Sequence, residues 1–174
     1  MKNLTNVLSC NDIQSALIRV LFVCTGNICR SPLAEGILRE KLAKKRIPAD
    51  IDSCGFESFH VGDEPDERAQ AVAAKRGIDI SGHRARLFTV DDFDRFDFIF
   101  AMDTSHYQNI LRKARNDADR AKVDYMLNVL YPGQNEGVQD PWYHGLKAFE
   151  SVYLQLDEAC EQFVNNLGIS NRNT

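Results

Sequence analysis

Cys24 and Arg30 stand at the two ends of a short segment, Cys24-Thr-Gly-Asn-Ile-Cys-Arg30, whose residue types could handle a phosphate. The apolar run Val20-Leu-Phe-Val23 before it is typical of a buried strand, and Ser31-Pro32 after it is typical of a helix start. A loop that enters a helix in this way can turn several backbone N–H groups toward an anion at the helix's positive end. Gly26 would permit a close approach of the backbone. The segment therefore predicts a phosphate-binding loop that carries a nucleophile.

The two end residues have complementary roles in this prediction. The loop N–H groups and the helix dipole would stabilise the thiolate of Cys24, which is the attacking form of a cysteine. Arg30 can donate to two phosphoryl oxygens at once and meet the charge that builds on them in the transition state. The alternative is structural, with Cys24 a buried thiol at a strand end and Arg30 a surface charge at a helix start. The combined pattern favours the chemical interpretation, and the loop lacks the Gly-Lys-Ser/Thr ending of ATP-binding loops.

Phosphoryl transfer also needs a group that protonates the leaving group, and Asp140 is the best candidate for that acid. It lies in Gln139-Asp-Pro-Trp-Tyr143, a stretch with turn-forming residues and two aromatics. The alternative is a turn-forming Asp-Pro pair with surface aromatics. Trp142 and Tyr143 could instead form the walls of a slot for a flat aryl substrate.

Composition limits the class of protein. The chain has 174 residues, 44% of them hydrophobic, which suits one globular domain, and its net charge of -4 argues against a nucleic-acid partner. Its five cysteines form neither paired Cys-x-x-Cys units nor an even disulfide framework, so we expect no metal and a reducing, cytoplasmic location. No apolar run is long enough to span a membrane, and the first 18 residues are unlike a signal peptide.

Four strand-like runs alternate with helical patterns along the chain. The predicted strands are residues 19–24, 50–54, 97–102 and 123–127. The predicted helices open at Ser31-Pro32 and end before Pro48, run from about 66 to 76 with Gly77 as the stop, and cover Phe149 to Leu167 with Gly168 at the end. This order predicts a single α/β domain in which a four-stranded parallel sheet carries helices on both faces. The phosphate-binding loop would follow the first strand at the carboxyl edge of the sheet, where such folds bind ligands.

From about Arg19 to Leu167 the chain resembles the low-molecular-weight protein tyrosine phosphatases. Six stretches carry the resemblance: Val23-Cys-Thr-Gly-Asn-Ile-Cys-Arg-Ser-Pro-Leu-Ala-Glu35, Ile51-Asp-Ser53, His60-Val-Gly62, Gly77-Ile-Asp-Ile-Ser-Gly-His-Arg-Ala-Arg86, Phe100-Ala-Met-Asp103 and Asp140-Pro-Trp-Tyr143. The resemblance implies a phosphatase domain over residues 19–168, between an N-terminal extension, 1–18, expected to be flexible, and a C-terminal tail, 169–174.

The implied activity is hydrolysis of phosphotyrosine through a covalent phosphocysteine, without a cofactor. Cys24 would be the nucleophile and Arg30 the phosphate clamp. Asp140 would protonate the tyrosine oxygen and then activate water against the phosphocysteine. The implied partner is a tyrosine-phosphorylated protein, such as a bacterial tyrosine kinase or a host protein, or a small aryl phosphate.

The resemblance also implies roles around the loop. Substrate or phosphate would contact Thr25, Gly26, Asn27, Ile28, Cys29, Phe59, Trp142 and Tyr143. Ser31 would donate a hydrogen bond to the thiolate, while Ser53 and His83 would support Asn27, which holds the shape of the loop. The alternative for His83 is an ordinary turn residue. Phe59 stands where many relatives carry Trp, a difference that bears on substrate preference.

Cys29 is a redox candidate, because in the family the corresponding thiol captures the oxidised nucleophile as a reversible disulfide. The alternative is a small loop residue without a redox role.

Three other functions compete with this interpretation. Arsenate reduction needs further thiols downstream, but none lies between Cys54 and Cys160. Arginine dephosphorylation goes, in relatives, with Thr at the position of Ile28, whose aliphatic side chain favours an aryl phosphate. A non-enzymatic phosphate-binding module would be expected to lack the nucleophile or the acid. We therefore rank the tyrosine phosphatase first.

Overall fold

A four-stranded parallel sheet forms the centre of the fold. In the computed structural model, which describes residues 17–167, the strands are β1 (Ile18–Cys24), β2 (Ala49–Gly55), β3 (Phe98–Ala101) and β4 (Val123–Tyr125). Their order is β2-β1-β3-β4, and all three neighbouring pairs are parallel. Val20 of β1 pairs with Ile51 on one side and Phe98 on the other, so β1 is an inner strand. This position explains the apolar run of β1, since a strand inside a parallel sheet is covered on both faces.

Helices flank the sheet on both faces, as predicted. They are α1 (Arg30–Lys44), α2 (Glu67–Ala74), α3 (Asp92–Arg95), α4 (Thr104–Lys113), α5 (Asp117–Arg120) and α6 (Leu146–Asn166), with short 3-10 turns at Ser58–His60 and Met126–Val129.

Two hydrophobic clusters lie on opposite faces, because successive side chains of a strand point in opposite directions. Val20 and Phe22 belong to the cluster that contains the buried residues of α1, α2 and α6. Leu21 and Val23 belong to the other cluster, with Phe93 of α3 and residues of α4. The predicted fold class is therefore confirmed.

Several boundaries differ from the prediction. β4 stops at Tyr125, because the buried residues Met126 and Leu127 enter a 3-10 turn, and an apolar run alone does not distinguish the two conformations. β3 is shorter by one residue at each end, and α6 begins three residues before Phe149. The short helices α3 and α5, and α4, were not predicted. The extension before residue 17, and Gly168 with the tail, lie outside the described residues.

The fold brings the ends of β1, β2 and β3 to one edge of the sheet. β1 lies between β2 and β3, so the chain proceeds to one side of β1 with β2 and to the other side with β3. The loop after Cys24 therefore lies at a topological switch point of the sheet. Within residues 17–167, no helix is both long and apolar enough to cross a membrane.

Candidate active site

Residues 25–29 connect the end of β1 to the start of α1. Among the hydrogen bonds within residues 17–167, none uses a backbone N–H of Gly26, Asn27, Ile28 or Cys29 as its donor. The helix that follows has 15 residues and no side-chain cap at its N-terminus. These N–H groups and the positive end of α1 are therefore available to an anion.

Cys24 is buried beside Ser31 at the base of this loop. The Cys24 Sγ and Ser31 Oγ atoms are 3.0 Å apart, and Ser31 Oγ also accepts a hydrogen bond from Asn27 Nδ2 at 3.0 Å. The Ser31 hydroxyl is therefore placed to donate its proton to a thiolate at Cys24.

Asn27, a residue of the loop itself, is fully buried and adopts the left-handed backbone region with φ of 58°. Its Nδ2 donates to Ser31 Oγ and, at 2.8 Å, to Ser53 Oγ. Its Oδ1 accepts from the backbone N–H of Arg86 at 3.0 Å and from His83 Nε2 at 3.1 Å. Three of these hydrogen bonds hold the loop to β2 and to the segment after α2, and the fourth holds it to the first turn of α1.

Glu35 on α1 completes this support. Its Oε2 accepts from Ser53 Oγ at 2.6 Å and lies 3.2 Å from His83 Nδ1. The two ring nitrogens of His83 thus face Asn27 Oδ1 and Glu35 Oε2. Burial raises the pKa of Glu35, but hydrogen bonds from His83 and Ser53 outweigh it and hold that pKa below its usual value. A charged carboxylate thus anchors the residues behind the loop.

Arg30 lies at the other end of the loop, with its side chain only 3% exposed. Its Nη1 donates to Asp103 Oδ2 and to the Val138 carbonyl, each at 3.0 Å. Its Nη2 donates to Thr25 Oγ1 at 3.2 Å and to Asp140 Oδ2 at 2.7 Å. The predicted phosphate clamp and the predicted acid are therefore in direct contact.

Asp103 holds Arg30 from the end of β3 and caps α4. Its Oδ1 accepts from the backbone N–H groups of Ser105 and His106 at 2.9 and 3.1 Å. Burial raises the pKa of Asp103, but contacts with His106 and Ser105 hold it far below its usual value. His106 Nε2 lies 2.9 Å from Thr25 Oγ1, so α4 contacts the loop at a second point.

A cleft of about 340 Å³ opens above the loop. Ten of the predicted residues line it: Cys24, Thr25, Gly26, Ile28, Cys29, Arg30, Phe59, Asp140, Trp142 and Tyr143. Phe59 and Tyr143 form an exposed rim, with 86% and 89% of their surface accessible. His60, which was not predicted, places its ring 5.7 Å from Trp142 and 5.2 Å from Phe59. The cleft thus combines a base suited to an anion with aromatic walls.

Comparison with known proteins agrees with this geometry. Residues 19–173 match the family model described as low molecular weight phosphotyrosine protein phosphatase. The chain belongs to this family. A curated member from Schizosaccharomyces pombe is 42% identical over 153 residues, which are 86% of this chain and 97% of that protein.

Two solved structures extend the comparison. A protein tyrosine phosphatase from Entamoeba histolytica is 33% identical, with a TM-score of 0.80 over 87% of this chain and 97% of that chain. A Drosophila arginine phosphatase is 32% identical, with a TM-score of 0.80 over 90% of this chain and 100% of that chain. The family predicted from the sequence motifs is confirmed.

Several residues at the site of this phosphatase family member were not predicted. They are Glu35, Gly55, Glu57, His60, Arg68, Arg86, Asp103 and His106. Asp103 had a usable signal, because it directly follows the predicted strand 97–102 at the ligand-binding edge of the sheet. Gly55 is required by a close approach, since a Cβ there would lie 2.4 Å from the Thr25 carbonyl oxygen.

Cys29 shares the cleft with Cys24, and both thiols are free. Burial, reinforced by the Asp66 carboxylate, raises the pKa of Cys29 well above its usual value. Cys29 is therefore a protonated thiol at neutral pH, and a disulfide with Cys24 stays a prediction.

Proposed function

We propose that this member of the family hydrolyses phosphotyrosine through a covalent phosphocysteine on Cys24, with Asp140 as the general acid and base. The observation that carries the proposal is the convergence of three groups on one cleft. Cys24, Arg30 and Asp140 all line it, and the guanidinium of Arg30 contacts the carboxylate of Asp140.

In the first step, the loop N–H groups and Arg30 bind the phosphoryl oxygens of the substrate. The Cys24 thiolate attacks phosphorus, the bond from phosphorus to the tyrosine oxygen breaks, and protonated Asp140 gives its proton to that oxygen. Arg30 is suited to the charge that builds on the transferring group, because it is held by Asp103 and Val138 and needs little reorganisation.

In the second step, the Asp140 carboxylate takes a proton from water as the water oxygen attacks phosphorus. The sulfur–phosphorus bond breaks, inorganic phosphate forms, and the electron pair returns to Cys24. Ser31 assists this departure, since its hydroxyl lies 3.0 Å from the sulfur and can donate to the thiolate that forms.

The walls of the cleft support an aryl phosphate as substrate. Phe59, Trp142 and Tyr143 offer aromatic surface above the loop, and Ile28 adds an aliphatic contact. The substrates that fit are tyrosine-phosphorylated proteins and small aryl phosphates.

The test is phosphate release, without added metal, from matched peptides that carry phosphotyrosine, phosphoserine or phosphoarginine. Wild type and Cys24→Ser are assayed together, with Cys160→Ser as a control that changes a cysteine buried against α1. We expect release from phosphotyrosine alone, lost in Cys24→Ser and retained in Cys160→Ser. Preference for phosphoarginine would overturn the substrate assignment, and substantial turnover by Cys24→Ser would overturn the covalent route.

A further inference from the structure

Arg68, on α2, contacts the segment that carries Asp140. Its Nη1 donates to the backbone carbonyl of Trp142 at 3.1 Å and to that of His144 at 2.7 Å. Within residues 17–167, Arg68 and Arg30 are the side chains that donate to residues 139–145 from elsewhere in the fold. Because this segment forms no helix or strand of its own, its position depends on such contacts.

The same guanidinium is held at its other side by Asp66. Arg68 Nε and Nη2 donate to the two carboxylate oxygens of Asp66 at 2.9 and 2.8 Å. The backbone N–H of Asp66 in turn donates to the Ile28 carbonyl oxygen at 2.8 Å. Arg68 is thus connected to the phosphate-binding loop through one residue.

Trp142 connects Arg68 to the carboxylate itself. Its backbone N–H donates to Asp140 Oδ1 at 3.0 Å, while its carbonyl accepts from Arg68. The Arg68 Cζ atom also lies 4.4 Å from the ring centroid of Phe149, a fully buried residue of α6. The guanidinium therefore has a rigid apolar base as well as directional hydrogen bonds.

We propose that Arg68 is a positioning residue that sets the location of the Asp140 carboxylate relative to the phosphate-binding loop. The role rests on the proposed function, in which Asp140 transfers the proton. Asp66 fixes the guanidinium to the loop. The carbonyls of Trp142 and His144 fix residues 139–145, here called the acid segment, to the guanidinium. Without Arg68 the loop keeps its own hydrogen bonds, but the contact with Arg30 becomes the one long-range side-chain hydrogen bond that holds residues 139–145, among residues 17–167, and the Asp140 carboxylate is less precisely placed.

This role predicts a defect that depends on the leaving group. An activated leaving group such as p-nitrophenolate departs with little protonation, whereas phenolate needs the proton. Arg68→Ala should therefore lose about tenfold in kcat/KM, which reports the step in which the leaving group departs, on phenyl phosphate and less than about twofold on p-nitrophenyl phosphate. Arg68→Lys should show most of the defect, because an ammonium cannot hold Asp66 and both carbonyls in one plane.

Arg76→Ala is the matched control. Arg76 places its Cζ atom 4.2 Å from the ring centroid of Tyr153 on α6 and donates to the Val72 carbonyl, but it does not contact the acid segment. Its loss removes an arginine stacked on the same helix and should leave the ratio of the two rates unchanged. Thermal unfolding of each variant reports the loss of stability separately from the change in ratio.

A double variant decides whether Arg68 acts through Asp140. In the Asp140→Asn background, Arg68→Ala should produce no further change in the ratio of the two rates. If Arg68→Ala or Arg68→Lys keeps the wild-type ratio while Asp140→Asn changes it, the positioning role is wrong. If Asp140→Asn itself leaves the ratio unchanged, the assignment of the acid in the proposed function is wrong instead. Turnover of p-nitrophenyl phosphate shows that each variant is folded. If Arg68→Ala does not fold, the same comparison is made with Arg68→Lys.

Discussion

Arg30 Nη2 and Asp140 Oδ2 are 2.7 Å apart, so the group assigned to phosphate binding is paired with the group assigned to proton transfer. Arg30 is buried at this contact, whereas Asp140 has 45% of its side chain exposed. A phosphate on the loop would add negative charge next to the same carboxylate. Binding of an anion and ionisation of Asp140 are therefore opposed.

Asp140→Asn should bind inorganic phosphate more tightly, because it removes that repulsion and leaves Arg30 without a charged competitor. The exposed position of Asp140 limits the effect to about two- to fivefold, or about 0.4–1 kcal/mol. The measurement is the inhibition constant of phosphate against p-nitrophenyl phosphate at neutral pH. Asp157→Asn is the control: Asp157, on α6, is an exposed partner of Lys41 on α1, and its change should leave the constant unchanged. An unchanged inhibition constant in Asp140→Asn would show that the Asp140 carboxylate does not affect phosphate binding.

Asp140→Asn should also lose on the order of 10²–10⁴-fold in kcat/KM on phosphotyrosine, with a smaller loss on p-nitrophenyl phosphate. The reason is that an amide cannot supply the proton that the tyrosine oxygen needs. Asp103→Asn is the comparison, since Asp103 pairs with Arg30 but is not assigned to proton transfer. It should slow both substrates to a similar extent. An equal loss on both substrates in Asp140→Asn would argue against the acid role.

Asn27→Ala should weaken both stability and turnover, because it removes the four hydrogen bonds that hold the loop. We expect a loss of roughly 2–3 kcal/mol in the free energy of unfolding and roughly 10²-fold in kcat. Asn135→Ala is the matched control, since Asn135 has the same left-handed backbone, with φ of 57°, on a segment outside the cleft. The strain of alanine in this region is therefore common to both variants. Equal losses of stability and of kcat in the two variants would contradict the supporting role of Asn27.

Glu35→Gln should make stability less dependent on pH in the acid range. The pKa of Glu35 is lowered from 4.5 in the folded protein, so its ionised form stabilises the fold fully above pH 4.5. That contribution is lost as the pH falls through the lower folded-state value. The variant should therefore be less stable than wild type at pH 7, by about 1.5–3 kcal/mol, and the difference should shrink below pH 4.5.

Denaturant unfolding of both proteins between pH 3 and 7 measures this difference. Glu40→Gln provides the control, because Glu40 forms an exposed pair with Lys44 on the same helix. Parallel stability curves for Glu35→Gln and wild type across that range would contradict the prediction.

Much of the site could be predicted because its central residues are contiguous. Cys24, Gly26 and Arg30 lie within seven positions, between a strand pattern and a helix start, so local geometry alone brings them together. The alternation of strand and helix patterns likewise determined the fold class, since consecutive parallel strands require crossover helices. Asp140 was identified by the chemistry that the loop required and by its turn-forming neighbours.

The contacts that orient these groups were decided by the tertiary structure. Asp103 is 73 residues from Arg30 and Arg68 is 74 from Trp142, and no periodicity links such positions. Their meeting depends on the strand order, which places the end of β3 beside that of β1, and on the packing of α2 against α6. The short helices α3 and α5 were missed because helices of four residues have little pattern of their own and form under tertiary packing. The sequence by itself determined the reactive loop and the fold class, whereas long-range packing decided which side chains hold Arg30 and Asp140 in place.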